Sequence, residues 1–242
     1  MYSIAFKDAS VICLSNKLIY DIEFLSTKNI YIVPNATLPI SITDKPKNLN
    51  GPIRIIYISN LFMFKGVLDL LKSLRVLMDE KIDFFCEIVG EEGDISKEQL
   101  TKNINLLGLN SFVNYLGPKF GIDKKAVLEK ADLMLYPTQN DAMPLVIIEA
   151  FQFSIPVIAN KIGAIDEIID DSINGFIVSK EPGIITQKIK LLNNNRDLLY
   201  KMGQAARKKY EEKYTFSIFE NNLKNVFEDL LKRINGANFV KQ

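Results

Sequence analysis

The pattern of apolar positions along the chain predicts strands alternating with helices. Several short runs rich in Val, Ile, Phe and Tyr are continuously apolar, as is typical of strands buried on both faces of a parallel sheet. Between them, apolar residues recur every three or four positions, which is the period of a helix face. The predicted strands are 11–14, 30–33, 53–58, 84–89, 113–116, 133–136, 156–159 and 176–178, and the predicted helices are 65–78, 97–107, 124–130, 144–153 and 184–192. This alternation predicts an α/β fold with a doubly wound parallel sheet.

A change in composition predicts how the chain divides. Residues 36–52 are polar and carry Pro39, Pro46 and Pro52, which is typical of a linker. Residues 1–35 before it predict only a strand, a helix and a strand, too little for an independent core. Residues 53–214 after it predict a complete domain, followed by a long amphipathic helix at 215–235. The apolar stripe of that helix either packs on its own domain or docks on a partner, and it consists of Phe216, Phe219, Leu223, Val226, Phe227, Leu230 and Leu231.

Composition excludes several kinds of chemistry. The 242 residues contain no His, so the chain itself holds no Ser-His-Asp triad, no Cys-His pair and no His-ligated zinc. Its two cysteines, Cys13 and Cys86, lie in apolar runs and are predicted to be buried, as expected in a reducing cytoplasm. A net charge of +1 gives no sign of a nucleic-acid partner. Residues 1–17 have no sustained apolar run, so we expect neither a signal peptide nor a spanning helix there.

The first candidate site follows the predicted strand 53–58. In doubly wound sheets ligands bind beyond the carboxyl ends of the strands, where helices begin. Lys65 stands at such a helix start, although the dipole there already favours anions. A bound diphosphate would pair with this ammonium, and the alternative is a solvated surface lysine. The chain has neither a G-x-G-x-x-G fingerprint nor a Walker-type phosphate loop.

The second candidate site follows the predicted strand 133–136. Pro144 suits the first position of the next helix, and Asp141 or Asn140 can cap that helix. Glu149 is the only acid in this otherwise apolar helix, and its side chain leans back toward the helix start. A carboxylate there is costly to bury without partners, and two vicinal hydroxyls such as those of a ribose would satisfy it. The alternatives are a cap role for Asp141 and a structural hydrogen bond for Glu149.

These residues stand in an order that resembles a known family. The segment NDAMPLVIIEAF at 140–151, IPVIA at 155–159, Gly163, EII at 167–169 and NGF at 174–176 resemble the retaining glycosyltransferases of family 4. The resemblance covers residues 11–214. It implies the GT-B fold, two Rossmann-like domains with the active site between them, of which this chain would supply the C-terminal, donor-binding half. Residues 1–35 would then be a remnant of the N-terminal, acceptor-side domain.

The resemblance also implies roles for individual residues. Glu149 would hold the ribose of the nucleotide, Asp141 would contact hydroxyls of the donor sugar, and Lys65 would bind the diphosphate; these three would be the catalytic residues. Backbone amides near residues 142–146 would hold sugar and phosphate, and the turn 117–119 would meet the base. The implied donor-binding residues are Asn60, Lys65, Gly66, Gly90, Pro118, Lys119, Asp141, Ala142, Met143, Pro144, Leu145, Val146 and Glu149. No metal and no cofactor are implied.

Two positions depart from the family pattern. Asp141 replaces a glutamate that is usual in the family, and Asn60 stands where an arginine often precedes the lysine.

The expected reaction is transfer of a hexosyl unit from a nucleoside-diphosphate sugar to a sugar or lipid-linked acceptor, as in polysaccharide biosynthesis. The alternative is a non-catalytic nucleotide-sugar-binding module, or one subunit of a split enzyme with a separate N-terminal-half chain.

Basic residues are dense near the C-terminus of the chain. They are expected to form a solvated helix face, the alternative being contact with the inner face of a membrane or with a lipid-linked acceptor. These residues are Lys188, Lys190, Arg196, Lys201, Arg207, Lys208, Lys209 and Lys213. The expected location is therefore the cytoplasm, with peripheral membrane association as the alternative.

Overall fold

The computed structural model describes residues 6, 9–25, 27–41, 51–179 and 181–239, with side chains as far as 234. Most of the predicted linker, 42–50, and part of the predicted N-terminal remnant, 1–5, 7–8 and 26, lie outside the described residues. Within these ranges the strands are β1 (Ser10–Cys13), β2 (Asn29–Ile32), β3 (Ile53–Ile58), β4 (Phe84–Val89), β5 (Val113–Gly117), β6 (Leu133–Tyr136), β7 (Val157–Asn160) and β8 (Gly175–Val178). The α-helices are α1 (Val67–Asp79), α2 (Lys97–Leu106), α3 (Gly121–Leu128), α4 (Leu145–Gln152), α5 (Ile165–Ile168), α6 (Pro182–Asn194), α7 (Arg196–Lys213) and α8 (Phe216–Phe239).

The chain divides into two compact units. The larger unit is formed by residues 41–210, and the smaller one by residues 1–40 together with 211–242. Of the described strands, β3 to β8 form a parallel sheet of six in the larger unit, in the order β5-β4-β3-β6-β7-β8. The predicted α/β fold with a doubly wound parallel sheet is therefore confirmed.

The strand order reverses between β3 and β6. The chain runs outward from β3 through β4 to β5, then returns to the other side of β3, where Ile55 pairs with Leu133 and Ile56 with Met134. Loops that leave two such neighbouring strands at their carboxyl ends diverge to opposite faces of the sheet and open a crevice between them. In this chain those loops are the two turns that the sequence singles out, after β3 and after β6.

Apolar periodicity accounts for the core of the larger unit. β3 reads IRIIYI, and every residue except Arg54 at its start is buried, as expected for a strand covered on both faces. The predicted stripe of α1 is buried at Val67, Leu70, Leu71, Leu74 and Leu77. Cys86 lies inside this core and Cys13 is buried in the smaller unit, as predicted. Burial raises the pKa of the Cys86 thiol far above its ordinary value, so the thiol stays protonated.

The smaller unit contains β1 and β2, which pair in parallel, with the 3₁₀ helix Asn16–Ile22 between them. It also contains α8, whose helical period the sequence predicts correctly. Val226 is buried on that helix, whereas Phe227 and Leu231 are more than half exposed, so its apolar stripe is only partly covered in the described part of the chain. Tyr31 donates a hydrogen bond of 2.5 Å to Oδ2 of Asp229, which joins β2 to α8.

The basic residues near the C-terminus are less solvated than the sequence suggests. Lys209 is buried, with its Nζ 2.7 Å from Oδ1 of Asp170 and 2.8 Å from the carbonyl oxygen of Glu167. The ammonium of Lys188 lies 4.5 Å from the ring centroid of Phe176, and Lys190 forms an ion pair with a glutamate at the end of α1. In the described residues, no helix combines the length and the apolar character that crossing a bilayer requires.

Candidate functional site

The candidate site centres on Lys65 and Asp141, which lie on the two loops at the reversal of strand order. Nζ of Lys65 is 2.5 Å from Oδ2 of Asp141, and about one fifth of each side chain is exposed. The hydroxyl of Tyr136, the last residue of β6, donates a hydrogen bond of 2.6 Å to the same oxygen. The other oxygen, Oδ1, accepts a hydrogen bond from the amide of Ala142. The carboxylate is thus fixed by three donors, one of them charged.

Tyr136 serves this cluster as a permanent donor. Burial raises the pKa of its phenol well above the ordinary value, and the hydrogen bond to Asp141 and the charge of that carboxylate raise it further. The hydroxyl therefore keeps its proton throughout the physiological range. Sequence reasoning did not single out Tyr136, because it reads as one more apolar residue of a buried strand.

The backbone around Lys65 is held by hydrogen bonds from β3 and from the loop after β6. Residues Met63–Lys65 form a single 3₁₀ turn, and the buried hydroxyl of Tyr57 donates to the carbonyl of Lys65 at 3.1 Å. The amide of Gln139 donates to the carbonyl of Phe64 at 2.7 Å, which ties the two loops together. Gly66 then takes a left-handed conformation (φ +81°), so the α-helix begins at Val67 and not at Lys65 as predicted.

Gly66 also allows the two loops to approach closely. A Cβ atom at this position would lie 2.0 Å from the carbonyl oxygen of Pro137, which is far inside the van der Waals limit. Only glycine combines the left-handed backbone with this contact. The glycine that follows Lys65 therefore positions the lysine against the loop that carries Asp141.

The loop that carries Asp141 is supported from β7 as well. The amide of Ala164 donates to the carbonyl of Ala142 at 2.8 Å. Gly163, with φ +54°, lies so close that an added Cβ would be 2.2 Å from the carbonyl oxygen of Asp141. The turn after β7 therefore lies against the backbone at Asp141 and Ala142.

The start of α4 differs from the prediction. Pro144 was expected at the first helical position, but it is the N-cap residue, and the helix begins at Leu145. Neither Asp141 nor Asn140 is the N-cap residue of this helix, and Pro144, which is, provides no side-chain cap. Asp141 is engaged by Lys65 and Tyr136 instead, which the local sequence does not reveal. Within the described part of the chain, the amide of Ile147 donates to the carbonyl of Pro144, while the amides of Leu145 and Val146 at the helix start receive no cap from the N-cap side chain.

Glu149 is paired with a lysine that the sequence did not indicate. Nζ of Lys124 lies 2.7 Å from Oε1 and 2.6 Å from Oε2 of Glu149, and both side chains are less than one quarter exposed. Lys124 belongs to α3 and is 25 residues away in sequence. Because Glu149 is the only acid in an apolar helix, the sequence indicates that it has a polar partner, but it does not identify Lys124 as that partner.

The remaining predicted residues follow other strands of the same sheet. Gly90 directly follows β4, and its carbonyl accepts a hydrogen bond of 2.9 Å from the hydroxyl of Tyr115. Oδ1 of Asn60 accepts from the amide of Glu91 at 3.3 Å. Pro118 and Lys119 follow β5 in chain order, the former exposed and the latter half-buried.

Two of the predicted donor-binding residues that follow Asp141, Met143 and Pro144, are buried. Ala142 and Leu145 are exposed, and Val146 is half-buried. Any contact that Met143 and Pro144 make with a ligand is therefore confined to their backbone. The structure brings Lys65 into direct contact with Asp141, while Glu149 contacts Lys124.

Replacing Tyr136 with phenylalanine is expected to lower the free energy of unfolding by about 1.5 to 3 kcal/mol, the usual worth of a hydrogen bond to a charged group. Tyr115→Phe is the matched control, since its hydroxyl donates to a neutral carbonyl, and there we expect about 0.5 to 1.5 kcal/mol. Urea unfolding at pH 7 measures both. Equal losses in the two variants would mean that the Tyr136–Asp141 bond has no charge-assisted strength.

A family model with the description "Glycosyl transferases group 1" matches residues 41–209, about seven tenths of the chain. This chain belongs to the group 1 glycosyltransferases. Among the family's curated members it is 26% identical over 192 residues to the capsular polysaccharide biosynthesis glycosyltransferase CapM of Staphylococcus aureus, covering 78% of this chain and 50% of CapM. The chain spans about half the length of the curated relatives that it matches.

Two solved structures share the fold. A glycosyltransferase from Rickettsia africae superimposes with a TM-score of 0.82 at 22% identity, covering 96% of this chain and 66% of the other. A Staphylococcus aureus TarM variant in complex with fondaparinux, α-GlcNAc-glycerol and UDP gives a TM-score of 0.78 at 25% identity, covering 90% of this chain and 43% of TarM. The predicted Rossmann-like fold and the resemblance to GT-B glycosyltransferases are thereby confirmed.

Proposed function

We propose that this chain is the donor-binding half of a glycosyltransferase that transfers a hexosyl unit from a nucleoside-diphosphate sugar to an acceptor hydroxyl, with retention of configuration. The observation that carries the proposal is the Lys65–Asp141 pair, 2.5 Å apart at the reversal of strand order and followed by the uncapped start of α4. A cation and free helix amides bind a diphosphate, and a carboxylate binds sugar hydroxyls. The proposed donor domain is 53–214.

Each polar group then has one task. The ammonium of Lys65 turns from Asp141 to the diphosphate, which carries more charge than a single carboxylate. Asp141, still held by Tyr136 and by the amide of Ala142, accepts hydrogen bonds from hydroxyls of the donor sugar. Glu149 accepts the two ribose hydroxyls. The UDP present in the TarM complex supports a nucleotide donor of this kind.

The chemical step proceeds by attack on the same face that the leaving group departs from. The bond between the acceptor oxygen and the anomeric carbon forms as the bond from that carbon to the diphosphate oxygen breaks, and the acceptor proton passes to the departing phosphate. No side chain of this chain needs to act as a general base, so the absence of His is no obstacle. Lys65 and the amides at the start of α4 stabilise the charge that develops on the diphosphate.

The proposed acceptor is a sugar or a lipid-linked sugar, as in the synthesis of a polysaccharide. The similarity to CapM, whose name refers to capsular polysaccharide biosynthesis, supports this substrate class. The proposed location is the cytoplasm, and peripheral association with the inner membrane face is the alternative.

A second candidate is a non-catalytic nucleotide-sugar-binding module, or one subunit of a split enzyme. The observation that favours it is length, since the chain spans about half of its curated relatives. Incubation of the purified chain with a donor and a panel of sugar acceptors separates the two candidates. Product formation by this chain without a second protein would reject the module.

A thermal-shift panel of UDP-, GDP- and ADP-sugars tests the proposal itself. A ligand that binds only the folded state raises the melting temperature, and the rise continues to grow with the logarithm of ligand concentration above the dissociation constant. One nucleotide series is expected to give a rise of this form. Uncharged hexoses serve as the control and are expected to give no shift. If none of the nucleotide sugars shifts the transition, the donor-binding assignment is wrong.

A further inference from the structure

The ion pair between Lys124 and Glu149 has no part in the proposed chemical step, although it occupies the acid assigned to the ribose. Nζ of Lys124 is almost equidistant from the two carboxylate oxygens, at 2.7 Å and 2.6 Å. A nitrogen at these distances lies midway between the oxygens, on the open side of the carboxylate. Both oxygens are therefore engaged by one ammonium on the side from which a ligand would approach.

A vicinal diol binds a carboxylate from that same side, with one hydroxyl donating to each oxygen. The ammonium and the diol thus require the same position and cannot both fill it. In the free protein the pairing is favourable, because Glu149 is only 24% exposed and an unpaired carboxylate at such a site is poorly solvated. A ribose must displace the ammonium before it binds.

We infer that Lys124 competes with the ribose for Glu149 and so sets how strongly the site distinguishes ribose from 2′-deoxyribose. The inference rests on the proposed function. Displacement is physically easy, since Lys124 lies in the first turn of α3, is 22% exposed and has four methylene groups that let the ammonium swing into water. The lysine thus weakens the contribution of the diol without blocking the site.

The measurement is a ratio of dissociation constants. Calorimetric titration of UDP, GDP and ADP identifies a nucleotide that binds the wild-type chain, and its 2′-deoxy counterpart is then titrated in parallel. The two ligands carry the same charge, so the general loss of attraction caused by removing a lysine cancels in their ratio. Lys124→Met is expected to raise the preference for the ribonucleotide about fivefold, the scale of a partly exposed ion pair.

Lys125→Met is the matched control, because Lys125 is the neighbouring residue of α3, is similarly exposed at 26% and pairs with Glu129 instead. Its ratio is expected to equal that of the wild type. Glu149→Gln is expected to abolish most of the preference, which verifies that the ratio reports contacts to Glu149. Melting curves of the three variants establish that each is folded.

An unchanged or smaller ratio in Lys124→Met would overturn the inference, and Lys124 would then only neutralise or orient Glu149. A full ribose preference in Glu149→Gln would overturn it as well, since the diol would bind elsewhere. Failure of all three nucleotides to bind the wild-type chain is a different result. It would refute the proposed function, and the inference with it.

Discussion

Replacing Lys65 with alanine is expected to weaken the binding of a nucleoside-diphosphate sugar by about 2 to 3 kcal/mol, roughly 30- to 150-fold. The variant loses the only cation in direct contact with Asp141 among the described residues, and it leaves that carboxylate facing an anionic ligand. Both effects act in the same direction. Because amides at the start of α4 still contribute, binding is expected to weaken without being lost. Titration calorimetry against the donor identified by the thermal-shift panel measures the change.

The control for this experiment is Lys72→Ala. Lys72 lies on α1, close in sequence to Lys65, but its side chain is 61% exposed and pairs with Asp69 on the same helix. It produces the same change in net charge and is expected to alter donor affinity by less than about twofold, because exposed charges are screened. If Lys65→Ala weakened binding no more than Lys72→Ala, the diphosphate assignment would be wrong.

Replacing Gly66 with alanine is expected to lower the free energy of unfolding by about 3 kcal/mol or more. A left-handed conformation alone costs about 1 to 2 kcal/mol for a residue with a Cβ. A Cβ atom in its ideal position would lie 2.0 Å from the carbonyl oxygen of Pro137, so the new methyl group must also move away from that oxygen. Overpacking of this kind costs about 1 to 3 kcal/mol. Because the movement separates the loops that carry Lys65 and Asp141, donor affinity is expected to fall as well.

Two other glycines separate the causes of this loss. Gly121 has φ +50° with no atom within 4 Å of an added Cβ, so Gly121→Ala should show the conformational cost alone, about 1 kcal/mol. Gly183 lies within the helix α6 with equally open surroundings, and Gly183→Ala should stabilise the chain by about 0.4 to 1 kcal/mol. Urea unfolding of the three variants measures these values. A loss at Gly66 no larger than that at Gly121 would contradict the close approach of the loops.

The fold could be predicted largely from the sequence, since its signals are local. β3, β4 and β6 begin and end at the predicted residues, because each is a continuous apolar run between polar turns. The buried stripe of α1 follows from helical period alone. The partial exposure of α8 did not follow, because periodicity defines an apolar face but does not reveal what covers it.

The proximity of the two turns could be predicted from the sequence, but their side-chain contacts could not. The turns after β3 and β6 lie together, because the carboxyl ends of parallel strands share one edge of the sheet. The pairing of Asp141 with Lys65 and that of Glu149 with Lys124 span 76 and 25 residues, and no local pattern encodes them. The cap role considered for Asp141 was wrong, because the helix begins only at Leu145. The carboxylate of Asp141 is engaged by Lys65, Tyr136 and the amide of Ala142 instead.

Binding of the nucleotide-sugar donor by the loops at the β3–β6 reversal is tested most directly by titrating the ¹⁵N-labelled chain with that donor. The titration is followed through assigned backbone amide resonances. We expect saturable shifts concentrated at the amides of residues 65–67, 142, 143, 145 and 146. Weaker changes are expected near Glu149 and at the amides of Lys119 and Phe120. Saturable shifts centred elsewhere, with these amides unmoved, would contradict it.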